Sequence, residues 1–591
     1  MFSPVKSGDQ LAIRQHKASI PFFPTRKAGP IPTACNPDGC YPYETAAETS
    51  KTSELREVQL VTLENRHISA TLCPDLGGRL VSLLRKHDDG TTTESLFDSG
   101  CVRPVRILPR GEFIGGGIEL SFPISHTPVL LDKVCYRCLE KGGRVLVQFS
   151  ERELRFGMQW LGEYSLGADD AFLTQRALFH NPGKHAHPWM SWSNAGVPCA
   201  PDTEFHFPSG SVLRHDSRLG TIDWEKDGPR RQEDITEMTG YFWREPDVNA
   251  FGVYTPSLKS GLYHIADRKQ MPGIKLWSDG VGRDEIWVNQ YTTDNRQCLE
   301  IQAGPLADQS VKSELASEES HTQTEFWIPT DEKLDIRAIK LPEPDGLPPL
   351  SADDLFDWTR PESVDVFVQL VAAQQSGDPG AIPKAPSANS NLWAPSGMDD
   401  LGEAMSWAAG QTHDDESGRW LFQYGAWLAG RDCIDDALTE LDRSNDPRAA
   451  ALSAWLYFTI KQEHNRALDC ILAIKEDAWR LNPQIASLCL DIMESMGEDT
   501  LNQRKALLND LADSDDERVV EARAAFLLDS GNAQAAYDLL TGHPFQLIHQ
   551  RYRRTQLLKR AADCIGLAAD ASLPILVGED TLAEFGAYQE Y

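Results

Sequence analysis

Positive charge is scarce in this sequence. Its 591 residues contain 57 Lys and Arg against 88 Asp and Glu, a formal net charge of −31. Gripping nucleic acid or an anionic membrane takes patches of Lys and Arg, so neither partner is expected. Long apolar runs are missing as well. No stretch reaches the roughly 20 residues that cross a bilayer, and the N-terminus has no basic segment leading into an apolar core. Neither a membrane span nor a secretory signal is read, and a cytoplasmic location is expected. The 12 cysteines are scattered. Cys135 and Cys138 form a C-x2-C with no second close pair beside it, although Cys35 and Cys40 could contribute. Free thiols are expected, and neither a metal nor a cofactor.

The chain is too long for one hydrophobic core. Residues 1–54, rich in Pro, Thr, Lys and Ser, read as an irregular arm. From Val58 the pattern changes to short apolar runs, Val58–Leu63, His67–Leu72 and Arg79–Leu84, separated by Glu64-Asn65 and Pro74–Gly78. Similar runs recur at Arg144–Phe149, Ala171–Phe179, Phe251–Tyr254, Gly261–Ala266, Glu285–Tyr291 and Cys298–Gln302. Many short strands with turn signals between them predict a large antiparallel β-sandwich over 55–335. The interval 336–400 is Pro/Gly-rich and reads as a linker with room for one short helix at Ser363–Gln375. Beyond it, 401–591 reads as helical, and from 351 onward 40 Asp and Glu face 19 Lys and Arg. Small residues recur at Ala437, Ala467, Ala506 and Ala536, spaced 30, 39 and 30 apart. These spacings straddle the period of about 34 residues of tetratricopeptide repeats, so the helical half is read as tetratricopeptide-like.

Candidate chemistry concentrates in the first half. The stretch Arg110–Pro128 (RGEFIGGGIELSFPISHTP) holds three consecutive glycines, Gly115–Gly117, followed by Glu119 and His126. Such a run marks backbone that bends sharply or is approached closely, where a strand meets a loop. Seven of the 15 tryptophans fall between Trp160 and Trp287, and 11 of the 15 histidines precede residue 322. Flat apolar rings among polar groups suit a ligand with both C–H faces and hydroxyls, as a sugar has. The densest such cluster runs from His185 to Asn194 and includes His187, Trp189, Trp192 and Asn194. In Leu299-Glu300-Ile301-Gln302, alternation sends Glu300 and Gln302 to one face and the apolar pair to the other.

Several of these segments also carry a resemblance. In order along the chain, LENRHISATLCPDLGGRLVSLL (63–84), Gly115–Glu119 and Leu299–Gln302 resemble galactose mutarotase-like, or aldose 1-epimerase, domains. RGEFIGGGIELSFPISH, SWSNAG, GVY, HIADR, PGIKLW and LEIQAG look more closely like a little-characterised family of such domains, often followed by tetratricopeptide repeats. The resemblance implies a β-supersandwich and a sugar ligand, with Glu300 of LEIQ as the catalytic base. The two histidines of mutarotases have no counterpart at matching positions here; His126 and His187 are the candidate substitutes, with Trp189, Trp192, Asn194, Gln302 and Arg79 as substrate-binding residues. Three functions are open: epimerisation or mutarotation with Glu300 as base; a glycoside hydrolase or lyase in which Glu119 and Glu300 form a carboxylate pair; and a sugar-binding module whose helical domain binds a protein partner or a second copy.

Overall fold

The structure, a computed structural model, describes residues 11–567 apart from 28, 33–42, 44–45, 109–110, 125, 216–218, 237, 244, 281–290, 295, 310–311, 357–363, 391 and 546–552. Trp287 and most of the strand expected at Glu285–Tyr291 lie outside the described residues.

The first half is a two-layer antiparallel β-sandwich. One layer is a twelve-stranded sheet whose central strands run in the order Arg79–Lys86, Gly117–Ser121, Trp192–Pro198, Cys298–Gly304, Gly273–Ser278 and Thr239–Trp243. The other has eight strands, running from Cys135–Lys141 at one edge to Glu204–His206 at the opposite edge. Alternation along each strand builds the core between them. Leu80, Ile118, Leu120, Ala195 and Ile301 of the large sheet share one buried cluster with Val147, Phe149, Trp160, Tyr164 and Trp327 of the small one. The intervening residues of the large sheet, Arg79, Glu119, Asn194 and Gln302 among them, therefore face away from this core.

The sandwich begins earlier than expected. Residues Ala12–Phe22, within the stretch read as an irregular arm, form a strand paired along its whole length with Glu54–Glu64. It is the sheet's edge strand, and its Arg14, Lys17 and Pro21 are the kind of residues that discourage further pairing. A strand with one solvated face has a composition easily mistaken for irregular chain. Farther along, Ile31 lies buried in the core of the helical half, where its backbone N–H and C=O bond the side-chain amide of Gln484 at 3.1 and 3.0 Å.

The linker crosses the outer surface of the sandwich. Arginines of the eight-stranded sheet donate to its carbonyls: Arg144 to Asp345 (3.3 Å), Arg176 to Pro348 (2.5 Å) and Arg137 to Asp354 (2.6 Å). Arg137 also stacks over Phe356 at 4.7 Å. Arg137→Ala is expected to speed limited proteolysis within 341–356 while lowering stability by less than about 1 kcal/mol, the size of a surface interaction. Unchanged cleavage would mean that the contact does not hold this segment. The helix in this region, Asp365–Ser376, buries Phe367 and Leu370 in the helical core, so that core starts before residue 401.

The helical half stacks as hairpins. First helices begin at Asp414, Pro447, Pro483 and Glu517, spaced 33, 36 and 34 residues apart, and each packs on the helix that follows it. The repeat shows best in its caps: Asp446, Asn482 and Asp516 each accept a hydrogen bond from a first-turn backbone N–H, and Pro447 and Pro483 open two of the helices. Of the small residues read as repeat markers, Ala437, Ala467 and Ala536 are buried, whereas Ala506 faces solvent and Leu507 and Leu508 take the packed positions. No helix among the described residues is long and apolar enough to cross a membrane.

Candidate functional site

Cross-strand register assembles a polar row on the outward face of the large sheet. Glu119 pairs with Asn194, Asn194 with Gln302, Gln302 with Lys275, and Lys275 with Phe242. In the adjacent row Gly117 pairs with Gly196, Gly196 with Glu300, Glu300 with Trp277, and Trp277 with Gly240. Glu300 thus sits between a floor of glycines and the half-buried Trp277.

The glycine run serves close backbone packing. Gly116 and Gly117 adopt left-handed conformations (φ 84° and 70°), and a Cβ on Gly116 would lie 2.0 Å from the Phe97 carbonyl oxygen. One on Gly196 would meet Gly116 Cα at 2.7 Å. Tyr291 covers Gly115, and a cavity of about 20 Å³, room for one water, lies beside the run next to Arg79, Phe97 and Cys101.

Glu119, 3% exposed, anchors this turn. Its Oε2 accepts from Arg79 Nη2 (3.1 Å) and His126 Nδ1 (3.0 Å), and its Oε1 accepts from the backbone N–H of Thr127 (2.5 Å). Burial alone would raise its pKa; His126, Arg79 and the Thr127 N–H outweigh that and hold it at about 2. His126 itself has a left-handed backbone (φ 58°), an uncommon conformation, and Glu119 bonds both its ring and the backbone N–H that follows it. Because Glu119 is ionised, Nδ1 of His126 carries a proton toward it, and Nε2 is the nitrogen not committed to Glu119.

Asn194 is 2% exposed, and among the described residues neither Nδ2 nor Oδ1 has a hydrogen-bond partner. Buried amides are nearly always satisfied, so an unpaired one in the centre of a polar row stands out. Gln302 is fully engaged instead: Nε2 donates to Glu300 Oε2 at 2.7 Å, and Oε1 accepts from Gln309 Nε2 at 3.1 Å.

Of the residues read from sequence, the structure brings together Arg79, Glu119, His126, Asn194, Glu300 and Gln302. Trp192 lies on the same face but is wholly buried, against Phe242 (5.9 Å) and over Gly304 and Gly273, so its ring is packing and not a stacking surface. Two residues lie elsewhere. Trp189 is inside the sandwich core with Phe122 and Phe179 at 6.1 and 5.1 Å. His187 stacks on Phe156 at 4.7 Å near the helical half, where burial and then Arg431 lower its pKa. The cluster from His185 to Asn194 is therefore not one surface. Its chain turns between the short strand His187–Trp189 and the sheet strand Trp192–Pro198.

Sequence reading passed over Lys275 and Gln309, and placed Trp277 only as one of the seven tryptophans between Trp160 and Trp287. Alternation in PGIKLW puts Lys275 and Trp277 on one face, but only the pairing of that strand with Cys298–Gly304 shows that it is the face of Glu300. Other motif residues build the interior. His264 and Arg268 of HIADR join Ser193 of SWSNAG through the fully buried Glu325, with Ser193 Oγ at 2.7 Å and His264 Nε2 at 2.9 Å from its carboxylate. Arg268 donates to His264 Nδ1 (3.2 Å), which leaves the imidazole proton on Nε2. Burial lifts the pKa of Glu325 to about 7. A larger depression of about 540 Å³ lies apart from the polar row, lined by Phe205, His206, Trp224 and Lys333 among others. Among the described residues no group of three or more His, Cys, Asp or Glu side chains is placed to hold a metal ion.

Residues 35–330 match the family described as a domain of unknown function, DUF5107, and 367–561 match a second family described as a C-terminal domain. Among solved structures, a TPR-domain containing protein from Parabacteroides distasonis is 43% identical over 97% of this chain and 98% of its own, with a TM-score of 0.92. A galactose mutarotase-like protein from Clostridium acetobutylicum is 12% identical over 46% of this chain and 95% of its own, with a TM-score of 0.32. A putative aldose 1-epimerase from Escherichia coli K12 is 13% identical over 45% and 97%, also with a TM-score of 0.32. This chain belongs to the DUF5107 family, in a form that continues into a tetratricopeptide-like helical domain.

Proposed function

We propose that the polar row binds a sugar ring and that the protein interconverts the sugar's anomers. Glu300 takes the proton of the anomeric hydroxyl, the bond from the anomeric carbon to the ring oxygen breaks, and the ring oxygen takes the Nε2 proton of His126, which enters the step as an imidazolium with its Nδ1–H held by Glu119. Rotation about the exposed carbon–carbon bond and closure in reverse give the other anomer, with both protons returned. With Nδ1–H committed to Glu119, proton traffic on His126 runs through Nε2. Trp277 offers a flat face beside Glu300 for the C–H side of the ring.

The observation that carries this reading is the orphaned amide of Asn194, one row from Glu300. An amide with a free donor and a free acceptor is suited to two neighbouring hydroxyls. Asn194→Ala is expected to weaken sugar binding about 10- to 100-fold, the worth of a buried hydrogen-bonded pair. The melting temperature of the free variant should not fall, because the substitution removes an unsatisfied buried group. A drop in melting temperature with unchanged affinity would make Asn194 structural. The direct test is two-dimensional exchange NMR of the anomeric protons across a panel of aldoses and oligosaccharides. Exchange faster than in buffer supports the proposal; binding without exchange replaces it with a binding module.

A carboxylate-pair hydrolase gains less support. Both oxygens of Glu119 are taken up by Arg79, His126 and the Thr127 N–H, which leaves neither of them placed to attack a sugar carbon or to hand over a proton. The helical hairpins are the proposed contact for a protein partner or a second copy. A cytoplasmic location belongs to the same proposal.

A further inference from the structure

Glu300 stands at the end of a chain of hydrogen bonds that begins at a cation. Lys275 Nζ donates to Gln309 Oε1 (2.7 Å), Gln309 Nε2 to Gln302 Oε1 (3.1 Å), and Gln302 Nε2 to Glu300 Oε2 (2.7 Å). Lys275, Gln309 and Gln302 are 3, 2 and 2% exposed. The ammonium lies over the rings of Phe242 and Trp277, with centroids 4.9 and 5.1 Å away.

Such a chain has a direction. A primary amide can face either way, so two glutamines alone could run donor-first or acceptor-first. An ammonium has donors and no acceptor. It draws Gln309 Oε1 toward itself, which turns Gln309 Nε2 toward Gln302, and this in turn points Gln302 Nε2 at Glu300. The carboxylate oxygen at the end can only accept. Were Glu300 to carry a proton on that oxygen, two donors would face each other.

We propose that Lys275 and Gln309 are positioning residues that fix the direction of this chain and so keep Oε2 of Glu300 an acceptor, with its second oxygen turned to the ligand as the one that takes a proton. The inference rests on Glu300 being the base. The bland alternative is that the three side chains merely satisfy one another's buried polar atoms, in which case their direction has no consequence.

The test uses full-length protein labelled with 15N in its glutamine side chains, with the signals of Gln302 and Gln309 assigned by Gln302→Met and Gln309→Met. The wild type should show one slowly exchanging side-chain amide for each. Lys275→Met, of similar length and without donors, should leave the protein folded and make both amides exchange with solvent at least 10-fold faster, or appear in two orientations. Gln309→Glu keeps an acceptor for Lys275 but gives Gln302 no donor. It should release Gln302 in the same way, and it carries the test if Lys275→Met does not fold. With an aldose that turns over, both variants should lower kcat about 10-fold and leave KM within twofold. Unchanged amide signals in a folded variant, or a loss confined to KM, would overturn the proposal. The amides are read in the free protein, so a blank sugar panel would count against Glu300 as base and not against the direction of the chain.

Discussion

Glu300→Gln is expected to lower the rate of anomer exchange by about 10²–10⁴-fold, the usual cost of losing a positioned general base, while fold and sugar affinity persist. The substitution keeps the shape of the side chain. The amide oxygen can still accept from Gln302 Nε2, so the chain from Lys275 stays closed. The stability side of the argument is equally specific. Where a buried carboxylate pairs with an arginine, removing its charge strands a cation and lowers the melting temperature. The hydrogen bond of Glu300 is to the neutral amide of Gln302, so a shift of no more than a few degrees is expected. Exchange NMR on the aldose that responds best, together with a thermal melt of each protein, separates the two roles. A variant that exchanges anomers at the wild-type rate would remove Glu300 from the mechanism. One that melts far lower and binds nothing would make it a structural carboxylate.

Period and alternation made much of this architecture legible in the sequence. Alternation in LEIQ put Glu300 and Gln302 on the face away from Leu299 and Ile301, and the structure has them there. The change from period-two runs to helical hairpins was equally readable. Register was not, because nothing in a single strand says which residue of another strand lies opposite. Hence Lys275 went unremarked and Trp277 was only counted among the tryptophans although their motif was in view, and His187 and Trp189 were grouped with Asn194 on nearness along the chain. Only two residues separate Trp189, which packs in the core between the layers, from Trp192, which packs on the opposite face of the large sheet. Composition misled at the edge strand Ala12–Phe22, where a solvated face makes a strand look like irregular chain. Glu119 was legible as a carboxylate after a glycine bend, but its role was not: two of its three donors come from the turn it closes, and the third, Arg79, comes from 40 residues away.

Glu119→Gln is expected to be the most damaging single change in the site, and its damage should depend on pH in one direction. The wild-type carboxylate is buried and satisfies Arg79, the His126 ring and the Thr127 N–H together. A neutral amide has one acceptor oxygen for these three donors and leaves Arg79 buried beside an uncharged group. Breaking a buried ion pair by removing one partner typically costs about 3–5 kcal/mol. The titration argues for a similar size: a carboxyl held at about 2 in place of 4.5 is linked to roughly 3 kcal/mol of stability at neutral pH. A lowered pKa means that the folded protein binds fewer protons than the unfolded chain between those two values. The contribution of Glu119 is therefore complete above pH 4.5 and fades as the pH falls toward 2. Thermal or denaturant melts of the sandwich should show the widest gap between wild type and variant at pH 6–7, and a narrowing gap below pH 4.5. Where Glu119→Gln still folds, His126 loses the partner that orients its ring, and anomer exchange should fall even though Glu300 is intact. A gap that is absent at neutral pH, or that widens on acidification, would show that Glu119 does not hold this turn. His126 would then lose its standing as the second proton-transfer group.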